Sequence, residues 1–140
     1  MIKIAVLGNG SWGSVLGSML ADNGNDVTLY GNIDSVNEEI NAHHTNSHYM
    51  KDWKLNENTK ATGDLEAALD GAELVLFVLP TKAVRIVAKN VRKVLDKTGA
   101  KPLLVTATKG IEPGSKKLIS EILTEEIYPD DEDKIVAISG

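Results

Sequence analysis

Three glycines, Gly8, Gly10 and Gly13, stand at GxGxxG spacing directly after the apolar run from Ile2 to Leu7 and at the head of a helical pattern. Strand, tight turn and helix in that order make the arrangement that grips the pyrophosphate of a dinucleotide. Gly8 permits the tight turn, Gly10 lets backbone N–H groups approach the phosphates with no Cβ in the way, and Gly13 lets the new helix lie close on the strand. The phosphate then meets the positive end of the helix dipole and its unpaired N–H groups.

Such a loop needs a sheet to hold it, and the rest of the chain alternates strand and helix patterns, the signature of βαβ units. Strands are expected at residues 2–7, 26–30, 59–62, 74–78, 103–106 and 135–138, most of them short apolar runs as in strands covered on both faces. The fold class is therefore α/β, a doubly wound parallel sheet of the Rossmann dinucleotide-binding type. The first helix is read with Trp12, Val15, Leu16, Met19 and Leu20 as one apolar stripe, closed by a left-handed cap at Asn23-Gly24. Pro80 stops the fourth strand and places its loop on the wall of the ligand cleft. After it, Val84, Val87, Ala88, Val91, Val94 and Leu95 turn inward, while Lys82, Arg85, Lys89, Arg92 and Lys93 form a solvated outer face. In the last helix Leu118, Ile119, Ile122 and Leu123 face the core, and an acidic loop from Pro129 to Asp133 leads to the final strand.

The 140 residues, 42% hydrophobic and 25% charged, suffice for one core and one domain. Cys is absent, which excludes disulfides and thiolate metal sites, and no apolar stretch suits a membrane span or signal peptide. A cytoplasmic location is expected. A net charge of -5 gives no general attraction to nucleic acid, and 4% aromatic content provides no stacking platform for single strands. Any phosphate must be held by local geometry. His43, His44 and His48 are read as part of a polar loop over residues 43–53, with no metal site, since no Cys or carboxylate stands at ligand spacing.

By its motifs the chain resembles the N-terminal domain of bacterial NAD(P)-dependent glycerol-3-phosphate dehydrogenases. The stretch from Ile4 to Gly13 is similar to that family's opening, and Phe77-Val-Leu-Pro-Thr81 to its strand-four exit. Ala107-Thr-Lys-Gly-Ile-Glu-Pro113 is similar to its Lys-Gly-Ile-Glu segment, and Ile138-Ser-Gly140 to the start of its Ser-Gly-Pro segment. The resemblance implies reduction of dihydroxyacetone phosphate to sn-glycerol 3-phosphate, a phospholipid precursor, by hydride from NADH or NADPH. It implies cofactor contacts from Ser11 and Trp12 beside the three glycines, places Lys109 where cofactor and substrate meet, and puts Gly140 on the substrate side. A Lys at the carboxyl end of a central parallel strand suits that role chemically, because a point cation there attracts a phosphate or a developing alkoxide.

Family members are longer, with a helical C-terminal domain that carries the general acid/base Lys. Residues 1–140 are accordingly expected to bind the cofactor, to contain no proton-transfer residue, and not to catalyse by themselves. The sequence does not set the oligomeric state; the resemblance implies a homodimer as the full-length protein. Two other readings share the domain: a different nicotinamide-dependent dehydrogenase, of hydroxyacid or 6-phosphogluconate type, and a non-catalytic dinucleotide-sensing module.

The choice between NAD and NADP falls about 20 residues beyond the glycine loop, on Asn32. Its amide can bond a ribose hydroxyl without repelling a 2′-phosphate as a carboxylate would. The basic residue that many relatives carry near this position is missing, and Asp34 disfavours NADP if it turns inward. Tyr49 to Trp53 stands where relatives often have a Leu-Pro segment, which leaves this loop's contact with the adenosine half open.

Overall fold

The computed structural model describes residues 1–107 and 110–138. In chain order it runs β1 (Lys3–Leu7), α1 (Ser11–Asp22), β2 (Asp26–Tyr30), α2 (Asp34–His43), β3 (Thr45–Asn46), β4 (Met50–Lys54), β5 (Lys60–Thr62) and α3 (Leu65–Leu69). It continues through β6 (Leu74–Phe77), α4 (Thr81–Thr98), β7 (Leu103–Thr106) and α5 (Ile119–Glu126) to a single 3-10 turn (Glu132–Lys134) and β8 (Ile135–Ala137). The six expected strands pair in parallel in the order β5-β2-β1-β6-β7-β8. Leu7 stands in register with both Tyr30 and Phe77, Tyr30 with Thr62, and Phe77 with Thr106, so the strands end together along one edge. The chain order reverses across β1 and β6, which makes that edge the place where open α/β sheets bind ligands.

Alternation along the strands builds a core on each side of the sheet. Ala5, Leu7, Val75, Phe77 and Leu104 meet Val84, Ala88, Val91 and Leu95 of α4 and Ile119, Ile122 and Leu123 of α5. On the other side Ile4, Val6, Val27, Leu29, Leu76 and Val105 meet Ala21 of α1 and Val36 and Ile40 of α2. Val84, Ala88, Val91 and Leu95 on the inner face of α4 follow the period of the helix, and Gly99 at φ 77 closes it as a left-handed cap.

Several sequence expectations are corrected. The buried stripe of α1 is Gly13, Ser14, Gly17, Ser18 and Ala21, whereas Trp12 is 58% and Met19 54% exposed. Close approach decides this: a Cβ on Gly17 would lie 2.5 Å from the Leu29 side chain, so only small residues fit between α1 and β2. Leu16 and Leu20 remain partly buried beside the same core. The expected end of α1 is met, with Gly24 at φ 90 donating to the Ala21 carbonyl. Leu118 is 52% exposed because it is the N-cap of α5 and not part of its inner face. The stretch read as a polar loop folds as the antiparallel hairpin β3–β4, and a short helix absent from the sequence expectations, α3, forms after β5 with Asp64 as its N-cap. Arg85 is no simple solvated charge, since it pairs with acids on two neighbouring segments. No helix among the described residues is long and apolar enough to cross a membrane.

Candidate functional site

The glycine loop turns at the carboxyl edge of β1. Gly8 adopts φ 127 and donates its N–H to the Tyr30 carbonyl at 2.9 Å. A Cβ there would lie 2.0 Å from the Val78 carbonyl oxygen, so the turn is glycine-dependent in both conformation and space. A Cβ on Gly13 would lie 1.9 Å from the Gly8 carbonyl oxygen, which lets α1 begin directly against the strand end. At Gly10 a Cβ would meet nothing within 4 Å. Gly10 therefore faces open space, as a residue over which phosphates pass must.

That space is a cleft of about 410 Å³ lined by Gly8, Asn9, Gly10, Tyr30, Gly31, Asn32, Tyr49, Val78, Leu79, Pro80, Ala83 and Val87. None of these side chains is charged, and the first turn of α1 holds no acidic residue. An anion in the cleft would be held by main-chain N–H groups and the dipole of α1 without a competing carboxylate. A larger groove of about 460 Å³ lies around Met1, Asn25, Asp26 and Lys60, at the opposite ends of the strands. It has neither a glycine loop nor a helix N-terminus, and Lys60 there is paired with Asp26 at 2.8 Å.

Of the residues singled out from sequence, Gly8, Gly10 and Asn32 line the cleft and Pro80 walls it, while Gly13 supports the loop from behind. Ser11 and Trp12 open α1 with their side chains exposed and do not line the cleft. Asp34 starts α2 and is not in the wall. Lys109 and Gly140 lie outside the described residues. Ala107, which follows β7, donates to the Phe77 carbonyl, so the chain leaves β7 along the same edge as the glycine loop. His44 is the left-handed C-cap of α2 and His48 meets Tyr49 edge-on at 4.6 Å. Among the described residues no group of three or more His, Asp or Glu is placed to hold a metal.

The supports of the loop are not legible in the glycine spacing. Asn9 donates from Nδ2 to Asn37 Oδ1 at 2.6 Å, and Asn37 donates in turn to the Gly31 carbonyl at 3.0 Å. The Asn9 carbonyl accepts from Asn46 Nδ2 at 2.8 Å and from the Ser14 hydroxyl at 3.1 Å. All four side chains are buried. The signal was present in part: Asn37 falls on the inner stripe of α2 between Val36 and Ile40, where an unexplained polar residue marks an interior hydrogen bond. Asn46 had no such pattern. Its hairpin is anchored by Glu39, which accepts from Thr45 Oγ1 at 2.5 Å and from the Ser47 hydroxyl and N–H. Those bonds hold the Glu39 carboxyl below its ordinary value, the Thr45 hydroxyl first among the causes.

A second support lies beyond β7. Arg85 of α4 grips Glu112 through Nε and Nη2 at 2.8 and 2.7 Å and reaches Glu126 of α5 at 2.5 Å. The guanidinium hydrogen bonds, with a further one from Ser115, hold the Glu112 carboxyl down at about 2, and the same acids raise Arg85. This fork pins the segment that follows Gly110 to both helices of that face.

A doubly wound parallel sheet with a glycine-lined, uncharged cleft at its switch point defines a dinucleotide-binding domain of the Rossmann class. The chain belongs to the family described as NAD-dependent glycerol-3-phosphate dehydrogenase N-terminus, whose model matches residues 3–140. It is 93% identical over 140 residues to a glycerol-3-phosphate dehydrogenase (NAD(P)+) of Lactobacillus helveticus, covering all of this chain and 41% of that protein. A protein of the same name from Lactobacillus acidophilus is 90% identical with the same coverage. Among solved structures, glycerol-3-phosphate dehydrogenase from Coxiella burnetii superposes with a TM-score of 0.85 at 32% identity, over 99% of this chain and 41% of that one. The chain thus spans about two-fifths of the length of the relatives it matches.

Proposed function

We propose that this chain is the cofactor-binding part of an enzyme that interconverts dihydroxyacetone phosphate and sn-glycerol 3-phosphate by hydride transfer with NADH or NADPH. The observation that carries the reading is the open approach at Gly10, between a turn that only Gly8 can make and a helix start that only Gly13 permits. Gly8, Gly10 and Asn32 line the path of the cofactor, with its pyrophosphate on the loop and its adenosine ribose toward Asn32, while Gly13 backs the loop and Ser11 and Trp12 are proposed to reach the cofactor from the exposed start of α1. The cofactor supplies the hydride; the chain binds it, orients it and screens one side from water.

Lys109 is proposed to stand where cofactor and substrate meet, offering a cation to the substrate's phosphate or carbonyl oxygen, with Gly140 on the substrate side. The exit of β7 along the cleft edge supports that placement. A helical second domain is proposed to supply the proton-transfer Lys and to cover apolar surface on the α1 side. Trp12 and Met19 of α1, Val136 of β8 and Ile138 just after it are all more than two-fifths exposed, and among the described residues the helices contributing to that core are α1 and α2. The full-length protein is proposed to be a cytoplasmic homodimer.

Steady-state oxidation of NADH and NADPH by the full-length protein tests the activity. Turnover with dihydroxyacetone phosphate, and none with 2-oxo acids or 6-phosphogluconate-type substrates, is the expected result. Tight NADH binding without any turnover would favour the sensing module instead.

A further inference from the structure

We propose that Asn46, assisted by Ser14, is a positioning residue for the pyrophosphate: it aims the Gly10 N–H into the cleft by holding the Asn9 carbonyl from behind. The inference rests on the reading of the cleft as a dinucleotide site.

No peptide in the described chain is cis, so the carbonyl of Asn9 and the N–H of Gly10 point in opposite directions. The carbonyl is turned inward, where Asn46 Nδ2 at 2.8 Å and the Ser14 hydroxyl at 3.1 Å both donate to it. The N–H must therefore face outward, on the side where Gly10 lines the cleft. Rotating this peptide would point a carbonyl oxygen at the phosphates and repel them. Its orientation is thus the difference between an anion site and an anion barrier.

Asn46 is built for donation and for little else. It is fully buried, its Nδ2 also lies 3.0 Å from the Ser14 hydroxyl, and its Oδ1 has no partner among the described residues. A carbonyl can only accept, so the nitrogen end of the carboxamide must be the one facing Asn9. Burying a carboxamide with its acceptor unmet is costly, and an apolar side chain would fill the space without that cost. What an apolar residue could not do is hold the Asn9 carbonyl.

The opposite end of Asn9 is fixed as firmly. Its side chain is bonded to Asn37, and a Cβ on Gly31 would lie 2.1 Å from that carboxamide, so Gly31 is required to let Asn9 lie flat against the end of β2. With side chain and carbonyl both held, the residue between the first two glycines has one conformation before any ligand arrives. Preorganised donors bind without reordering. Because Asn46 sits on the hairpin anchored by Glu39, the loop's geometry depends on a segment 37 residues away.

The test compares NADH, ADP and adenosine as ligands of the full-length protein and of Asn46→Ala and Ser14→Ala variants, by calorimetry for the first two and chemical-shift titration for adenosine. We expect Asn46→Ala to weaken NADH and ADP about tenfold and adenosine less than twofold, with Ser14→Ala producing the same pattern at about threefold. Equal weakening of all three ligands would mean that Asn46 only stabilises the fold, and unchanged NADH and ADP affinity in folded variants would also overturn the inference. If Asn46→Ala does not fold, the Ser14→Ala pattern decides by the same criteria. Failure of the wild-type protein to bind NADH would instead overturn the cofactor reading itself, and this inference with it.

Discussion

Gly13 lies so close against Gly8 that a methyl group on its α-carbon would come within 1.9 Å of the Gly8 carbonyl oxygen, while the same addition at Gly10 meets nothing within 4 Å. Two glycines of one motif are thus needed for different reasons, one by the fold and one by the ligand. Gly13→Ala is expected to destabilise the protein by about 3 kcal/mol through overpacking against backbone. Gly10→Val is expected to keep native circular dichroism and a near-native melting temperature while abolishing NADH binding, since the branched side chain fills the path of the phosphates. Native affinity in a folded Gly10→Val protein would place the phosphate site elsewhere.

Cofactor preference is expected to be weak. The cleft wall carries Asn32 and no Lys, Arg or carboxylate, and Asp34 stands outside it. Nothing there attracts or repels a 2′-phosphate strongly. NADH and NADPH affinities should lie within about tenfold, or about 1.4 kcal/mol, by calorimetric titration. A preference beyond a hundredfold would show that a charge outside the described wall makes the choice.

The Arg85 fork gives a pH dependence of definite sign. Glu112 is held at about 2 in the folded protein against an ordinary 4.5, so the folded state binds fewer protons there than the unfolded state. Its stabilising contribution is complete above the ordinary value and is lost as pH falls from there toward about 2. Glu112→Gln should therefore melt below wild type at pH 7, and the gap should close on acidification toward pH 2. A gap independent of pH would remove the ion pair as its cause.

If Lys109 faces the substrate, Lys109→Ala in the full-length protein should lower kcat/KM for dihydroxyacetone phosphate about 10²–10³-fold, equivalent to about 2.7–4 kcal/mol of barrier, the cost of deleting other electrostatic donors to a reacting oxygen. NADH affinity should change far less. Wild-type kcat/KM in that variant would take the residue out of the site.

The loop and sheet were legible in the sequence because their causes are local. Short β-branched runs between turn residues encode buried parallel strands, and six expected strands formed with boundaries within one residue. Gly8 and Gly13 encode a turn that a side chain would obstruct and Gly10 keeps the approach to it open, so their spacing carries the site. The inner face of α4 was equally plain, since Val84, Ala88, Val91 and Leu95 repeat at the period of the helix.

What only the tertiary structure decided depends on distance between segments. The apolar residues of α1 looked like its core face, yet β2 approaches so closely at Gly17 that the small side chains turn inward and Trp12 and Met19 turn out. Arg85 reads as one more surface charge until α5 and the Glu112 segment are folded against it. Asn46 reads as loop polarity until β3 brings it behind the glycine turn. Periodicity records which way a side chain points from its own element; it holds no record of how near the next element comes, and that separation decides whether a polar group is solvated, paired or buried at the cleft.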